Sequence, residues 1–305
     1  MNSTGTVIVI CGPTAVGKTA IAITLANELS TQIISADSRQ CYKELSIGVA
    51  RPSPEELGAV KHHFIASHSI KEDVTAADFE KYALDKTAEL LQDHDEVVMT
   101  GGTGLYIKAF CEGLDAIPEI PASVRSSIKT SYQEYGLEWI QKEIAERDPA
   151  YSASGETSNP QRMMRALEVI LTTGKSILEY QKKKINQREF RIIKLGLQLP
   201  REQLIERINF RVDQMMQAGL LEEVRSLMPF RKLNALQTVG YKELFEHLDG
   251  LTDLETAVQR IKINTRQYAK RQMTWFRRDG EITWFAPRQE EEIIKWTKAQ
   301  IISAG

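Results

Sequence analysis

The eight residues Gly12-Pro13-Thr14-Ala15-Val16-Gly17-Lys18-Thr19 fit the pattern G-x-x-x-x-G-K-[ST] and leave the start of this chain little freedom in how it folds. They follow the β-branched run Thr6-Val7-Ile8-Val9-Ile10, suited to a strand buried on both faces. They precede a stretch with Ile21, Leu25 and Leu29 at helical spacing. Strand, glycine turn and helix together are the context in which the pattern has physical meaning. Glycines let successive backbone N–H groups turn inward around phosphate oxygens. The helix N-terminus adds the positive end of a dipole. Lys18 supplies a mobile positive charge, and the Thr19 hydroxyl can ligate Mg²⁺. A diphosphate or triphosphate is expected here.

The remaining apolar runs extend one architecture. Gln32-Ile33-Ile34-Ser35-Ala36 reads as a second strand ending at Asp37, and residues 76–92 as a helix. Glu96-Val97-Val98-Met99 reads as a third strand running into Gly101-Gly102-Thr103-Gly104. Residues 192–199 and 282–285 supply a fourth and a fifth strand. Strands alternating with helices predict an α/β fold, a P-loop NTPase-like parallel sheet flanked by helices. Residues 115–190 differ. They open on Pro118 and Pro121, are polar and helical, break at 152–159, and restart where Asn159-Pro160 caps a new helix. The chain of 305 residues therefore reads as a catalytic core over 1–114 and 191–305, with an all-helical insertion domain over 115–190.

Charge separates the two ends. The chain holds 39 basic and 41 acidic residues, and residues 1–100 contain 8 of the former and 14 of the latter. Residues 101–305 then carry 31 and 27. Arg260, Lys262, Arg266, Lys270, Arg271, Arg277 and Arg278 occur with no acidic residue among them. At about 100° per residue, Lys262, Arg266, Lys270 and Arg277 fall within roughly 80° of arc. Ile261, Tyr268, Trp275 and Phe276 take the other side, so one face is expected on the core and the other on a polyanion. No apolar run approaches the ~20 residues of a spanning helix, which excludes an integral membrane protein of that kind. The N-terminus lacks a basic n-region, so no signal peptide is expected. Cys11, Cys41 and Cys111 lie far apart without a C-x-x-C, which fits a reducing, cytoplasmic setting. No long apolar stripe demands a partner subunit, and a monomer is expected. His62, His63 and His68 lack the fourth ligand and fixed spacing of a metal site. Lys182-Lys183-Lys184 reads as a solvated helix face open to the same polyanion.

Two absences narrow the chemistry. The strand at 96–99 ends in Thr100-Gly101 rather than in the carboxylate that motor ATPases and GTPases use for Mg²⁺, and no Asn-Lys-x-Asp for guanine occurs. The reading moves to transferases that hold a leaving or transferring phosphate group. Asp37, at the C-terminal end of the second strand, stands where α/β sheets place their ligands and can take a proton from an acceptor. The plainer alternative is a turn or capping Asp.

From here the residues become recognisable. Ser35-Ala36-Asp37-Ser38-Arg39-Gln40-Cys41-Tyr42 resembles the S-A-D-S-x-Q-x-Y signature of the bacterial tRNA dimethylallyltransferases, also called tRNA isopentenyl transferases. The cradle, His62-His63 and Gly101-Gly102-Thr103-Gly104-Leu105-Tyr106 follow in the family's order. So do Gln161-Arg162-Met163-Met164-Arg165-Ala166-Leu167-Glu168, Val239-Gly240-Tyr241 and Lys270-Arg271-Gln272-Met273-Thr274-Trp275-Phe276-Arg277. The resemblance implies transfer of a dimethylallyl group from dimethylallyl diphosphate to N6 of the adenosine just 3′ of the anticodon, with release of diphosphate. It places the prenyl diphosphate in a cradle whose motif is otherwise an ATP signature. Mg²⁺ at Thr19 is the implied cofactor, and Asp37, Lys18, Thr19, Thr103 and Arg125 are the implied catalytic residues. Contact with the anticodon stem-loop is implied for Asp37, Ser38, Arg39, Gln40, Thr103 and Arg125, and for Gln161, Arg162, Met163, Met164 and Arg165. It is implied also for Gln237, Gly240, Tyr241, Lys270, Arg271, Gln272, Trp275 and Arg277. Gln161, Gln237 and Gln272 have the side chains to read base edges. Two rivals stay open: a small-molecule kinase using ATP, with Asp37 activating a hydroxyl, and an RNA-binding module with a vestigial cradle.

Overall fold

The computed structural model describes residues 5–181 and 185–303, so the Lys182-Lys183-Lys184 run lies outside the described residues. The order begins β1 (Thr6–Cys11), α1 (Lys18–Glu28), β2 (Ile33–Ser35), α2 (Pro54–Ala59), β3 (His62–His63), α3 (Ala76–Leu90), β4 (Glu96–Gly101) and α4 (Gly104–Glu112). Four helices follow: α5 (Ala122–Arg147), α6 (Pro149–Ala153), α7 (Pro160–Thr173) and α8 (Ile177–Tyr180). The chain then returns through β5 (Arg191–Leu197), α9 (Arg201–Gln217), α10 (Leu220–Ser226), α11 (Tyr241–Leu248), α12 (Leu254–Phe276), β6 (Thr283–Phe285) and α13 (Glu290–Ile302). It forms two compact units, Met1–Cys111 with Gln187–Gly305, and Glu112–Asn186. The second starts three residues before and ends four residues before the helical segment expected at 115–190.

The first unit is built on a six-stranded sheet of order β3-β2-β4-β1-β5-β6, with every pairing parallel. β1 lies between β4 and β5, and Val7, Ile8, Val9 and Ile10 have no exposure at all. Helices on both faces explain why its sequence is apolar without alternation. Each such side chain contributes about 1.5–3 kcal/mol relative to exposure. Val7 and Val9 point to one core with Phe64, Phe79 and Phe110, whereas Ile8 and Ile10 point to the other with Leu25 and Ile293. The sixth strand is β3. It pairs Ile33 with His62 and Ile34 with His63. Two histidines carry no strand periodicity, so five strands were expected and the edge went unread.

The second unit packs α5, α6, α7 and α8 around Ile128, Ile140, Ile144, Met163 and Leu167, and no strand occurs among its described residues. Asn159 caps α7 by accepting from the N–H groups of Gln161 and Arg162, as its place before Pro160 predicts. The span of α5 is broken at Gly136, whose φ of 74° and ψ of −158° are not helical.

One glycine fixes how tightly the strand ends of the first unit meet. A Cβ on Gly101 would stand 2.1 Å from the Ala36 carbonyl oxygen, backbone against backbone. Gly101→Ala should therefore lower unfolding free energy by about 3 kcal/mol, the upper range for overpacking. A urea titration showing a loss under about 1 kcal/mol would mean that the strand ends can part.

Candidate active site

The cradle closes the gap between β1 and α1. Gly12 has φ of 144°, and a Cβ there would meet the Leu197 carbonyl oxygen at 2.6 Å, so β5 leaves room for glycine alone. Ala15 is held at φ 64°, a conformation that costs energy in any residue with a Cβ. Gly17, at φ 108°, starts α1. Val16 and Pro13 are buried beneath the turn. Lys18 curls back over the loop, and its Nζ donates to the carbonyls of Gly12 (3.1 Å) and Pro13 (2.8 Å). Its ammonium is buried although the residue keeps some opening to the cleft. Burial pulls its pKa down to about 8; Asp37 opposes that shift and Arg211 adds to it.

A cleft of about 960 Å³ opens above the C-terminal ends of the strands, where parallel α/β sheets bind ligands. Thr14, Ala15, Gly17, Lys18 and Thr19 line it on one side, and Asp37, Ser38, Arg39 and Gln40 on another. Arg207 and Arg211, one turn apart on α9, face the same space. Arg207 Nη1 donates to the Val16 carbonyl at 3.3 Å. Lys18, Arg207 and Arg211 thus gather three cations at the cradle. These arginines were not read from the sequence. Their signal is the i, i+4 spacing beside the buried Ile208 and Val212, which sets two charges toward the packed side of an amphipathic helix.

Asp37 sits just past β2, and its Oδ1 accepts from the N–H groups of Arg39 (2.9 Å) and Gln40 (3.3 Å). It is therefore a turn Asp and a cleft residue at once. Thr103 stands beside it. Its Oγ1 accepts from Ser38 N at 3.0 Å and donates to Ser38 Oγ at 3.3 Å. Tyr268 was expected on the core face of α12. Instead it is 37% exposed and lines the cleft. Its hydroxyl end is the enclosed part, and burial, reinforced by Asp37, pushes its pKa up to about 12.

Several expected RNA contacts are spent inside the protein. Gln272, read as a base reader, is 7% exposed; it accepts from Thr14 N (2.8 Å) and donates to the Gly102 carbonyl (2.8 Å), bracing the cradle against the glycine-rich turn. Gln40 donates to the carbonyls of Val49 and Ala50 and accepts from Ser35 Oγ, so its amide is committed too. Arg39 Nη1 holds the Asn234 carbonyl at 3.0 Å. Tyr241 has no exposure, and Gly240 is buried with its N–H on Glu243. Gln237 is exposed at the cleft rim, with Nε2 on the Arg231 carbonyl. Trp275 is half-buried against the core. In the second unit Met163 and Met164 belong to the hydrophobic core and present no surface of consequence, whereas Gln161 and Arg162 are exposed. Arg162 pairs with Glu156 at 2.6 Å. Arg125 and Arg165 share Glu168, at 3.6 and 2.9 Å.

The basic face of α12 is narrower than its spacing implies. Arg260 pairs with Glu246 (2.9 Å), and Lys262, 13% exposed, pairs with Asp213 (2.6 Å). Lys270, Arg271, Arg277 and Arg278 remain exposed. Lys270→Glu should therefore reduce the slope of log affinity for tRNA against log salt by about one phosphate contact. Lys262→Glu should leave that slope alone and lower stability, because it puts like charges together. Filter binding across a salt series checks both, and equal slopes for the two variants would contradict this division.

The histidines have local partners. His62 Nδ1 meets the Val60 carbonyl (2.8 Å), His63 Nε2 meets Gln32 Oε1 (2.8 Å), and His68 Nδ1 meets Ser67 Oγ (2.8 Å). Among the described residues no three His, Cys, Asp or Glu side chains cluster as a metal site, and no helix is long and apolar enough to cross a membrane.

Comparison with known proteins agrees with this geometry. The family model described as IPP transferase matches residues 40–279. The chain is 50% identical over 276 residues to a tRNA dimethylallyltransferase of Christiangramia forsetii, covering 90% of this chain and 91% of that one. Its fold is similar to the full-length tRNA isopentenylpyrophosphate transferase of Bacillus halodurans, with TM-score 0.72, 32% identity, and coverage of 98% and 97%. It is similar also to a eukaryotic dimethylallyltransferase acting on tRNA, with TM-score 0.74, 25% identity, and coverage of 92% and 74%. A cation-lined cradle at the strand ends, a carboxylate across from it, and these likenesses over nearly the whole length lead to one assignment: the chain belongs to the IPP transferase family, the tRNA dimethylallyltransferases.

Proposed function

We propose that this protein transfers a dimethylallyl group from dimethylallyl diphosphate to N6 of the adenosine 3′-adjacent to the anticodon of tRNA, releasing diphosphate. The observation that carries the reading is the polarity of the cleft. Lys18, Arg207 and Arg211 stand at the cradle, and Asp37 and Thr103 stand at the ends of the neighbouring strands. Negative charge grows on the diphosphate as the allylic C–O bond breaks, and fixed cations and N–H groups stabilise it without reorganising. The exocyclic amine is a poor nucleophile because its lone pair is delocalised. It loses its proton as the C–N bond forms, and Asp37 Oδ2 is the acceptor, because Oδ1 is engaged by the turn. A loop nucleotide can be splayed out and brought into a cleft of this size.

The donor set fits Mg²⁺. This ion keeps several waters and takes one or two protein oxygens beside phosphate oxygens. Thr19 Oγ1 would hold it at the head of α1. Thr100, whose buried hydroxyl has no partner in the protein, is among the residues that line the cleft beside it. Mg²⁺ would neutralise the diphosphate as it departs. We take the protein to work as a monomer in the cytoplasm.

The test is incubation with Mg²⁺, dimethylallyl diphosphate and unmodified tRNA, followed by mass spectrometry of the digested nucleosides. An adenosine carrying the prenyl mass, formed without ATP, is the expected result. Phosphoryl transfer from ATP to a small alcohol, with release of ADP, would instead identify a kinase.

A further inference from the structure

Glu223, on α10, gathers three backbone N–H groups and a buried hydroxyl on one carboxylate. Its Oε2 accepts from the N–H groups of Ser46 (3.1 Å) and Ile47 (2.8 Å), and its Oε1 from Gly48 N–H (3.0 Å) and the Tyr241 hydroxyl (2.6 Å). Three successive N–H groups converging on one anion form a nest of the kind that elsewhere holds a bound phosphate. Here the chain fills it with its own carboxylate. Tyr241 has no exposure, and its ring stands where a Cβ on Gly48 would fall, at 2.6 Å.

What the clasp holds matters for the cleft. The segment that follows, Gly48, Val49, Ala50 and Arg51, forms one of its walls. Val49 and Ala50 give their carbonyls to Gln40 Nε2 (3.2 and 2.9 Å). Gln40 in turn gives its N–H to Asp37 Oδ1. Hydrogen bonds joined by the short backbone stretch 48–50 and by Gln40 therefore connect Glu223 through the wall to the turn that carries Asp37. The cradle is braced separately, by Gln272 and by Lys18.

We propose that Glu223 is a positioning residue for the acceptor side of the reaction: by clasping residues 46–48 it fixes the cleft wall and, through Gln40, the Asp37 turn. The inference rests on the function proposed above and deepens it. Glu223→Gln is the test, because an amide keeps the volume but turns one acceptor into a donor facing N–H groups. Steady-state kinetics should show kcat down by about tenfold or more, since small misplacements of a reacting group are costly. KM for tRNA should rise, and KM for dimethylallyl diphosphate should stay within about twofold of the parent value. A merely structural role would lower Tm and leave both KM values and kcat per folded enzyme unchanged, and that result would overturn the proposal. So would an equal rise in both KM values.

Hydrogen exchange supplies an arm independent of chemistry. In Glu223→Gln the amides of Ser46, Ile47 and Gly48 should exchange at least about tenfold faster. Unchanged exchange would remove the clasp. If the parent protein itself forms no prenylated adenosine, the functional reading fails, and this arm still decides the clasp. Should Glu223→Gln not fold, Tyr241→Phe removes one of the four donors and must shift kcat and the tRNA KM in the same direction by a smaller factor. No shift there would overturn the proposal as well.

Discussion

Lys18→Ala lowers transfer by about 10³-fold, the upper range for removing one preorganised donor from a developing anion, and leaves tRNA affinity largely intact. The size follows from what Lys18 does. Its Nζ is the only part of the side chain needed at the cradle, and it already bonds two carbonyls there, Gly12 and Pro13. An ammonium has three N–H donors, so one is left for the diphosphate while two hold the loop. Lys270, Arg277 and Arg278, exposed on α12 and just past its end, are not among the residues that line the cleft with Lys18. Filter binding should then find near-normal tRNA affinity in a variant that fails to transfer. If transfer persists within about tenfold, Lys18 is not the cation that stabilises the departing diphosphate.

The same residue sets a pH dependence. Burial lowers Lys18 from 10.5 to about 8, so between those values the unfolded chain binds more protons than the folded one. From this group the empty protein gains stability as pH rises from about 8 to 10.5, and below about 8 it carries the full cost of the buried charge. A bound diphosphate favours the charged form and raises the pKa again. Affinity for a non-reacting prenyl diphosphate analogue should therefore fall above pH 8 by up to about tenfold per unit, as binding comes to require proton uptake. Calorimetric titration between pH 7 and 9.5 reads this directly. A flat profile would mean that Nζ does not meet the anion.

How far the site could be read beforehand depends on the kind of information each residue carries. The strand at Val7, Ile8, Val9 and Ile10 was legible because a two-sided core demands an unbroken apolar run. The cradle was legible because its glycines answer to local geometry, as Gly12 does against Leu197. Gln272 and Gln40 were misread because residue type gives hydrogen-bonding capacity and says nothing of partners that arrive from far along the chain, as Thr14 does for Gln272. Tyr268 was misread for a related reason. An ideal helix assigns it the side away from the phosphates, yet that side of α12 also borders the cleft, which Tyr268 lines while Ile261 and Trp275 pack in the core. Lys262 has the right spacing for a phosphate contact and is taken by Asp213, a partner on another helix.

Asp37 allows the sharpest separation of architecture from chemistry. Its Oδ1 caps the turn through Arg39 and Gln40, so Asp37→Ala loses two hydrogen bonds as well as a carboxylate, and a slow variant would be ambiguous. Asp37→Asn resolves the ambiguity. The amide oxygen accepts the same two N–H groups, and Asn is as suited to such turns as Asp. What it cannot do is take a proton. Asp37→Asn should therefore keep the parent Tm and the parent affinity for dimethylallyl diphosphate, and lower the single-turnover rate with tRNA by ~10²–10⁴-fold, the range for a general base. Asp37→Ala should be at least as slow and less stable. If Asp37→Asn transfers within about tenfold of the parent rate while Asp37→Ala does not, the carboxylate serves the turn alone and another group takes the N6 proton.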